Sequence, residues 1–235
     1  MQLTNKTAVI YGGKGMVGTA IGRAFTEAGA KVVTPAIDAL DEAAIEKHLA
    51  TLDRVDISLN AIGIPQTGVQ GIPLAQLSVE AYLKPIETYA RSHFLTARAA
   101  ARRMITQKSG VILAHTANPA AMAIPLMGGM TPAWATIEML MRTLSVETAA
   151  HGVRAVTLRT TGLPETKTID EVYNLHAKAI GITKEQFQQM LEARTHRGRH
   201  NTLVELAGAA VFVASDAGRG FTGTVLDLTG GMTGA

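Results

Sequence analysis

The sequence predicts an α/β fold, in which a mostly parallel sheet is wound in both directions and covered by helices on both faces. Short apolar runs rich in β-branched residues alternate with helical patterns along the chain. The first of these runs leads directly into a cluster of glycines. The composition, 47% hydrophobic and 17% charged, supplies a sizeable core for a single domain over residues 1–235.

The helices and strands are predicted from the periodicity of apolar residues and from the capping and turn residues that flank it. Residues 7–11 are a short buried run and form the first predicted strand. A helix over 16–28 follows, and Gly29 ends it. Asp41 is a suitable N-cap for a helix that continues to about residue 52. The remaining predicted strands are 31–34, 55–60, 110–115, 153–159 and 224–228, and the remaining predicted helices are 78–105, 132–151 and 203–214.

Three stretches are expected to be irregular. Residues 66–77 and 117–131 have the composition of loops, and residues 160–200 combine loop and helix. Pro85 is expected to interrupt the long helix early, because proline removes a backbone hydrogen bond.

The glycine cluster is the most informative motif. Gly13, Gly15 and Gly18 form a G-x-G-x-x-G between a strand and a helix, where backbone N–H groups can hold a diphosphate. The motif therefore predicts dinucleotide binding, and the alternative is a glycine-rich turn that binds nothing. The predicted cofactor contacts in this turn are Gly12, Lys14, Gly15, Met16, Val17 and Gly18.

Several classes of function are excluded or disfavoured. The net charge of +3 is too small to indicate a nucleic-acid partner, and no cysteine is present for disulfides or thiolate catalysis. His196 and His200 have the spacing of helical metal ligands, but no acidic third ligand is nearby, so no metal site is predicted. No apolar run reaches the ~18 residues that cross a membrane. We expect a cytoplasmic protein without a membrane partner.

One join in the chain is physically odd. Residues 31–34 are a predicted strand, and residues 36–41 resemble the end of another strand. Parallel neighbours need a connection of about a dozen residues or more, and only Pro35 and its neighbours lie between them. Either one of the two segments is not a strand, or a helix-sized piece is missing.

Together, the motifs resemble those of the short-chain dehydrogenase/reductase family over nearly the whole chain. Besides the glycine turn, the matching motifs are Asp38, residues 60–63, 152–156, 205–207, 214–217, 222–223 and 228–231. The resemblance implies a Rossmann-type fold with a seven-stranded sheet, a small-molecule substrate, and assembly as a homo-tetramer or homo-dimer. It also implies that about twenty residues are absent from the odd join, and we expect these to be disordered or trimmed rather than bypassed.

The resemblance also assigns the cofactor site. Asp38 matches an acidic residue that lies near the adenine ring in the family. Four residues match the motif that supports the sheet and lines the cofactor site: Asn60, Ala61, Ile62 and Gly63. The cofactor is NAD or NADP, with a slight preference for NADP because Lys14 offers a cation to a 2′-phosphate. Alternatively, Lys14 faces solvent.

The catalytic motif of the family is not found in the sequence. Its tyrosine position falls on Met130, its lysine on Trp134, its serine on Ala117 and its asparagine near Tyr89, and the chain contains no Tyr-x-x-x-Lys. Ala117, Met130 and Trp134 are therefore predicted to line an apolar substrate pocket.

His115 and Thr116, at the end of a strand, are the candidates for a catalytic role, with structural hydrogen bonds as the alternative. We consider two functions. The first is an atypical oxidoreductase that acts on a small apolar carbonyl or alcohol. The second is an inactive binding or scaffold protein with the same fold.

Overall fold

Six parallel strands form one sheet in residues 1–233, which are the residues that the computed structural model describes. The strands are β1 (Thr7–Tyr11), β2 (Lys31–Val33), β3 (Ile57–Asn60), β4 (Gly110–Ala117), β5 (Val153–Thr160) and β6 (Thr224–Leu228). Their order across the sheet is β2-β1-β3-β4-β5-β6. The chain winds outward from β1 in both directions, as the sequence predicts, and the order reverses between β1 and β3.

Helices cover both faces of the sheet. They are α1 (Met16–Glu27), α2 (Glu42–Ala50), α3 (Val79–Gln107), α4 (Met130–Thr148), α5 (Lys167–Ile180), α6 (Lys184–Glu192) and α7 (Leu203–Ala214). On one face, Ile10 packs in a cluster with Phe25 of α1 and Leu206 of α7. On the other, Val9 belongs to the cluster that α2, α3 and α4 cover. α5 and α6 hold a separate, smaller apolar cluster.

Local capping explains where several helices begin. The Asp41 carboxylate accepts the N–H of Ala44 at 3.0 Å and caps α2, as predicted. Thr202 and Glu205 form a reciprocal capping box at the start of α7. The predicted bounds of α7 and β6 are confirmed. α4 begins two residues before the predicted position 132 and ends at Thr148, and residues 149–151 form a 3₁₀ turn.

Pro85 does not interrupt α3, which corrects the sequence prediction. The helix is one continuous element with Pro85 inside it. The proline is buried where α3 meets the start of α4. There the fit is so close that a Cβ on Gly129 would lie 2.9 Å from the Pro85 ring and 1.9 Å from the Tyr82 carbonyl oxygen. This packing outweighs the hydrogen bond that the proline removes.

The expected seven-stranded sheet is wrong for this chain. Residues 36–41 form a turn, in which Asp38 accepts the N–H of Leu40 at 2.9 Å. The chain then runs directly through α2 to β3, and this crossover is long enough for two parallel strands on either side of β1. Residues 36–41 are therefore not a strand, and the segment expected to be missing is bypassed in the fold.

A buried ion pair ties α4 to the sheet. Arg159 of β5 forms two hydrogen bonds with the Glu138 carboxylate, at 2.5 and 2.8 Å, and both side chains are almost fully buried. Asp227 of β6 contacts the same guanidinium at 3.1 Å. Thr116 of β4 donates to Glu138 at 2.9 Å. These bonds fix α4 against three neighbouring strands.

Two histidines lie near the carboxyl end of the sheet, where His93 is buried and His115 is half-buried. Burial lowers the pKa of His93, on α3, to about 4. Burial also lowers the pKa of His115, on β4, to about 4, and the nearby His93 contributes in the same direction. Both imidazoles are therefore neutral in the folded protein at pH 7.

We expect Glu138→Ala to destabilise the protein by about 3–5 kcal/mol, because the Arg159 guanidinium loses its two-bond partner in the interior. The free energy of unfolding in urea measures this effect. The control is Glu46→Ala, which removes the exposed pair with Arg102 and should cost less than about 1 kcal/mol. Equal effects of the two changes would contradict the structural role of Glu138.

The buried histidines predict a pH dependence of stability. Unfolded histidine binds a proton below about pH 6.5, whereas folded His93 and His115 bind one only near pH 4. Stability is therefore complete above pH 6.5 and falls as the pH drops from 6.5 to 4, by about 1.4 kcal/mol per pH unit for each histidine.

Urea titrations at pH 7, 6 and 5 measure this slope. His93→Gln and His115→Gln should each reduce it, without abolishing it, because burial also lowers the pKa of His176 and His200. A slope that neither substitution changes would show that the two histidines are not buried as described.

Candidate functional site

A cavity of about 470 Å³ lies at the carboxyl end of the sheet, where the strand order reverses. Such a crevice is where open α/β sheets bind ligands. Its wall is formed by the segments that follow β1 and β3 and by the ends of β4 and β5. The start of α5 covers it from the other side.

The glycines after β1 bring backbone segments unusually close together. Gly12 has a φ of +72°, and a Cβ there would lie 2.6 Å from the carbonyl oxygen of Ala61. A Cβ on Gly18 would lie 2.6 Å from the oxygen of Gly12. These two glycines are therefore required for the turn and for the approach of α1 to it. Neither of them lines the cavity.

Gly15 differs, because the space beside it is open toward the cavity. A Cβ there would meet only the Gly12 oxygen, at 3.3 Å. Gly15 is also the N-cap of α1, which has no side-chain cap and no acidic residue in its first turn. The first N–H groups of α1 are left for another acceptor, and a phosphate fits this position by both charge and size.

The turn after β3 lies against the glycine turn, at the wall of the same cavity. The Asn60 side chain accepts the N–H of Ile62 at 3.1 Å and donates to Thr96 of α3 at 3.2 Å. The amide thus fixes the backbone of residues 60–63, and these residues line the cavity.

Most of the predicted cofactor residues lie together. Eight of them line the large cavity: Lys14, Gly15, Met16, Val17, Asn60, Ala61, Ile62 and Gly63. Gly12 and Gly18 lie behind this wall. Asp38 does not reach the cavity, because its exposed side chain caps its own turn at Leu40. Its role near an adenine ring stays a prediction.

A smaller cavity of about 120 Å³ adjoins the first. The predicted pocket residues Ala117, Met130 and Trp134 all line it. Ala117, Trp134 and Tyr89 line both cavities, so the two spaces share a wall. Most of the remaining wall is apolar and comes from the 117–131 segment and from α5 and α6: Ile124, Met127, Ile169, Val172, Phe187 and Leu191.

Two polar pairs in the small cavity were not found from the sequence. Tyr173 and His200 form a hydrogen bond of 3.0 Å, and His176 lies 3.2 Å from the Gln70 amide oxygen. Burial lowers the pKa of both histidines and raises the pKa of Tyr173. These residues come from distant segments and form no local motif, so the pairs become visible only in the folded structure.

The two candidate catalytic residues are engaged in hydrogen bonds. Thr116 is fully buried and donates to Glu138, and His115 bonds the hydroxyl of Thr160 at 2.9 Å. Both residues line the large cavity. The lowered pKa of His115, about 4, makes it a poor base at neutral pH. The structure thus shows a structural bond for each, and a catalytic role for either remains a prediction.

No group of three or more metal-ligating side chains occurs within residues 1–233. His196 and His200 do not share a helix, and His200 is buried against Tyr173. In the same residues, no helix is long and apolar enough to span a membrane.

Curated relatives cover most of the chain. Gluconate 5-dehydrogenase of Gluconobacter oxydans (strain 621H) is 27% identical over 89% of this chain and 78% of its own length. L-rhamnose 1-dehydrogenase (NAD(P)(+)) of Azotobacter vinelandii is 27% identical over 99% of this chain and 98% of its own. The latter alignment spans 271 positions against 235 residues here, so that relative carries segments that this chain lacks.

Solved structures share the fold. A gluconate 5-dehydrogenase from Burkholderia cenocepacia J2315, in complex with NADP and tartrate, superposes with a TM-score of 0.86 at 24% identity, covering 100% of this chain and 97% of the other. An NAD⁺-bound xylitol dehydrogenase superposes with a TM-score of 0.90 at 17% identity, covering 98% and 100%.

A family model described as enoyl-(acyl carrier protein) reductase matches residues 36–233. The match includes every strand after β2 and every helix after α1. The protein therefore belongs to the short-chain dehydrogenase/reductase family and has its NAD(P)-binding fold.

Proposed function

We propose that the protein is an NAD(P)-dependent oxidoreductase that acts on a small, largely apolar carbonyl or alcohol. The observation that carries the proposal is the open space beside Gly15 at the uncapped start of α1, next to a cavity that adjoins an apolar pocket. The solved relatives with NADP and NAD⁺ support this choice of cofactor.

The residues present fit a dinucleotide. Gly15, Met16 and Val17 would hold the diphosphate through backbone N–H groups at the start of α1. Residues 60–63 would line the opposite side of the cofactor. When bound, the cofactor supplies the hydride donor or acceptor of the reaction.

The wall of the small cavity supports an apolar substrate. Two of the residues beside it, Met127 and Met130, are buried methionines, whose flexible side chains adapt to ligand shape. The relatives named above act, by their names, on gluconate, rhamnose or xylitol. Here Tyr173 is bonded to His200 and His176 to Gln70, and these polar groups of the wall are therefore already paired, which supports a less polar substrate.

A second candidate function is binding without turnover. It is favoured by Ala117, Met130 and Trp134, which offer neither a hydroxyl nor a fixed cation at the three positions where the family carries out proton transfer. An indole has one N–H donor and no charge. The intact glycine turn is compatible with both candidates.

We also propose that the chain assembles as a homo-dimer or homo-tetramer. Phe94 of α3 and Met139 and Val146 of α4 are large apolar side chains exposed on the surface of the single chain. Exposed apolar surface of this kind is typical of subunit interfaces. Sedimentation velocity measures the assembly directly.

The test of the proposed function begins with fluorescence titration of NADPH and NADH, followed by a panel of small ketones and aldehydes. We expect binding and reduction of at least one apolar carbonyl. Gly15→Val should weaken cofactor binding at least about tenfold by filling the phosphate position.

The matched control is Gly208→Val on α7, which is outside the cavity and also has open space around it. Binding of neither cofactor by the unmodified protein would overturn the proposal. Binding without reduction of any carbonyl would favour the second candidate.

Lys14 predicts a preference for NADP. It is exposed and lines the large cavity. We expect Lys14→Ala to weaken NADPH binding about tenfold, or about 1.4 kcal/mol, and NADH binding much less, because only NADPH carries the 2′-phosphate. Lys47→Ala, an exposed lysine on α2, is the control. Equal losses for both cofactors would show that Lys14 does not select between them.

A further inference from the structure

We propose that Tyr89 is the catalytic acid, donating its hydroxyl proton to the carbonyl oxygen of the substrate; this inference rests on the proposed oxidoreductase function. Tyr89 lies on α3 and is 93% buried, with 7% of its surface exposed. It is one of the few residues that line both cavities. Its ring therefore stands where the cofactor space meets the substrate space.

The Tyr89 hydroxyl has a proton to give. Burial raises the pKa of Tyr89, and the adjacent backbone of Ile64 opposes this shift only in part. Within residues 1–233 no acceptor takes the Tyr89 proton.

Three competing hydroxyls near the shared wall are engaged in hydrogen bonds, and a fourth is exposed. Thr116 donates to Glu138, and Thr161 to the carbonyl of Gly162. Tyr173 is bonded to His200, and Thr168 is exposed at the surface. A phenol is also a stronger acid than an aliphatic hydroxyl.

His93 is a neighbour of Tyr89 on α3. The two residues are four apart on α3, so they lie on one face of the helix, and their ring centroids are 6.0 Å apart. This Tyr-x-x-x-His has the spacing of the family's Tyr-x-x-x-Lys, on a different helix. His93 Nδ1 lies 2.9 Å from the Tyr89 carbonyl oxygen, an acceptor, so Nδ1 carries the proton.

The charge on His93 affects the protonation of Tyr89. His93 is neutral and therefore does not favour the phenolate. Burial raises the pKa of Tyr89 to about 12, and the hydroxyl is protonated at neutral pH. Tyr89 is thus suited to give a proton during reduction of a carbonyl rather than to take one during oxidation of an alcohol.

A reduced nicotinamide, when bound, would supply the hydride that reduces the carbonyl carbon and would itself be oxidised. The π electrons of the C=O bond move to oxygen. The O–H bond of Tyr89 breaks, its proton forms the hydroxyl of the product alcohol, and water returns a proton to the phenolate.

The test compares Tyr89→Phe with Tyr82→Phe, a tyrosine on the same helix that lines neither cavity. One readout is kcat/KM for reduction of the best carbonyl. The other needs no turnover: isobutyramide, an amide that is not reduced, is titrated into the NADPH complex and followed by cofactor fluorescence. The amide oxygen accepts the same hydrogen bond as a ketone.

We expect Tyr89→Phe to lower kcat/KM by at least about 100-fold and to weaken isobutyramide about tenfold, with NADPH affinity within about twofold of the unmodified protein. Tyr82→Phe should change none of these. Unchanged turnover and amide binding in Tyr89→Phe, or a comparable loss of turnover in Tyr173→Phe alone, would overturn the inference.

Failure of the proposed function appears instead in the unmodified protein, as absence of cofactor binding. If the unmodified protein binds NADPH but reduces no carbonyl, the amide titration still decides whether Tyr89 contacts a carbonyl oxygen.

Discussion

The close contact between two backbone turns is the constraint on which the site depends. The turn after β1 lies against the turn after β3, and only a glycine at position 12 leaves room for the Ala61 carbonyl. Gly18 then allows α1 to approach that turn, and Asn60 fixes the other side through Ile62. The distance between the start of α1 and residues 60–63 is therefore set by main chain, so the phosphate position is formed before any ligand binds.

The sheet has six strands rather than the seven expected from the family, and this changes its edge next to β2. β2 is a three-residue edge strand, and the chain after it turns at Asp38 and returns through α2. Thr34 packs closely against Gly13, because a Cβ on Gly13 would lie 2.4 Å from the methyl group of Thr34. A carboxylate at the end of the second strand selects NAD in this kind of fold, and here that place holds Thr34 and Pro35. This is consistent with the proposal that Lys14 of the glycine turn discriminates between the cofactors.

Local patterns predicted local features well. β1, α7 and β6 follow from apolar runs and caps, and the glycine turn follows from spacing within one short segment. The polar wall of the small cavity was not predictable, because Gln70 and His176 are brought together from 106 residues apart. The pair of Glu138 and Arg159 was missed because alternation on a helix or strand does not show that a charged residue faces inward. The prediction for Pro85 was wrong because the hydrogen bond that the proline removes is offset by packing against the start of α4, which the local sequence does not show.

The balance of charge inside the site limits what it can bind and do. Trp134 occupies the family's lysine position, and among the described residues no lysine or arginine lines the small cavity. Burial lowers the pKa of its two histidines, His176 and His200. A buried carboxylate would therefore have no cationic partner there, and an isolated carboxylate in such surroundings is strongly disfavoured. A neutral carbonyl has no such penalty, and its oxygen needs only one hydrogen-bond donor. Burial in the same apolar surroundings raises the pKa of Tyr89, so the proposed neutral substrate and the proposed proton donor have one physical cause.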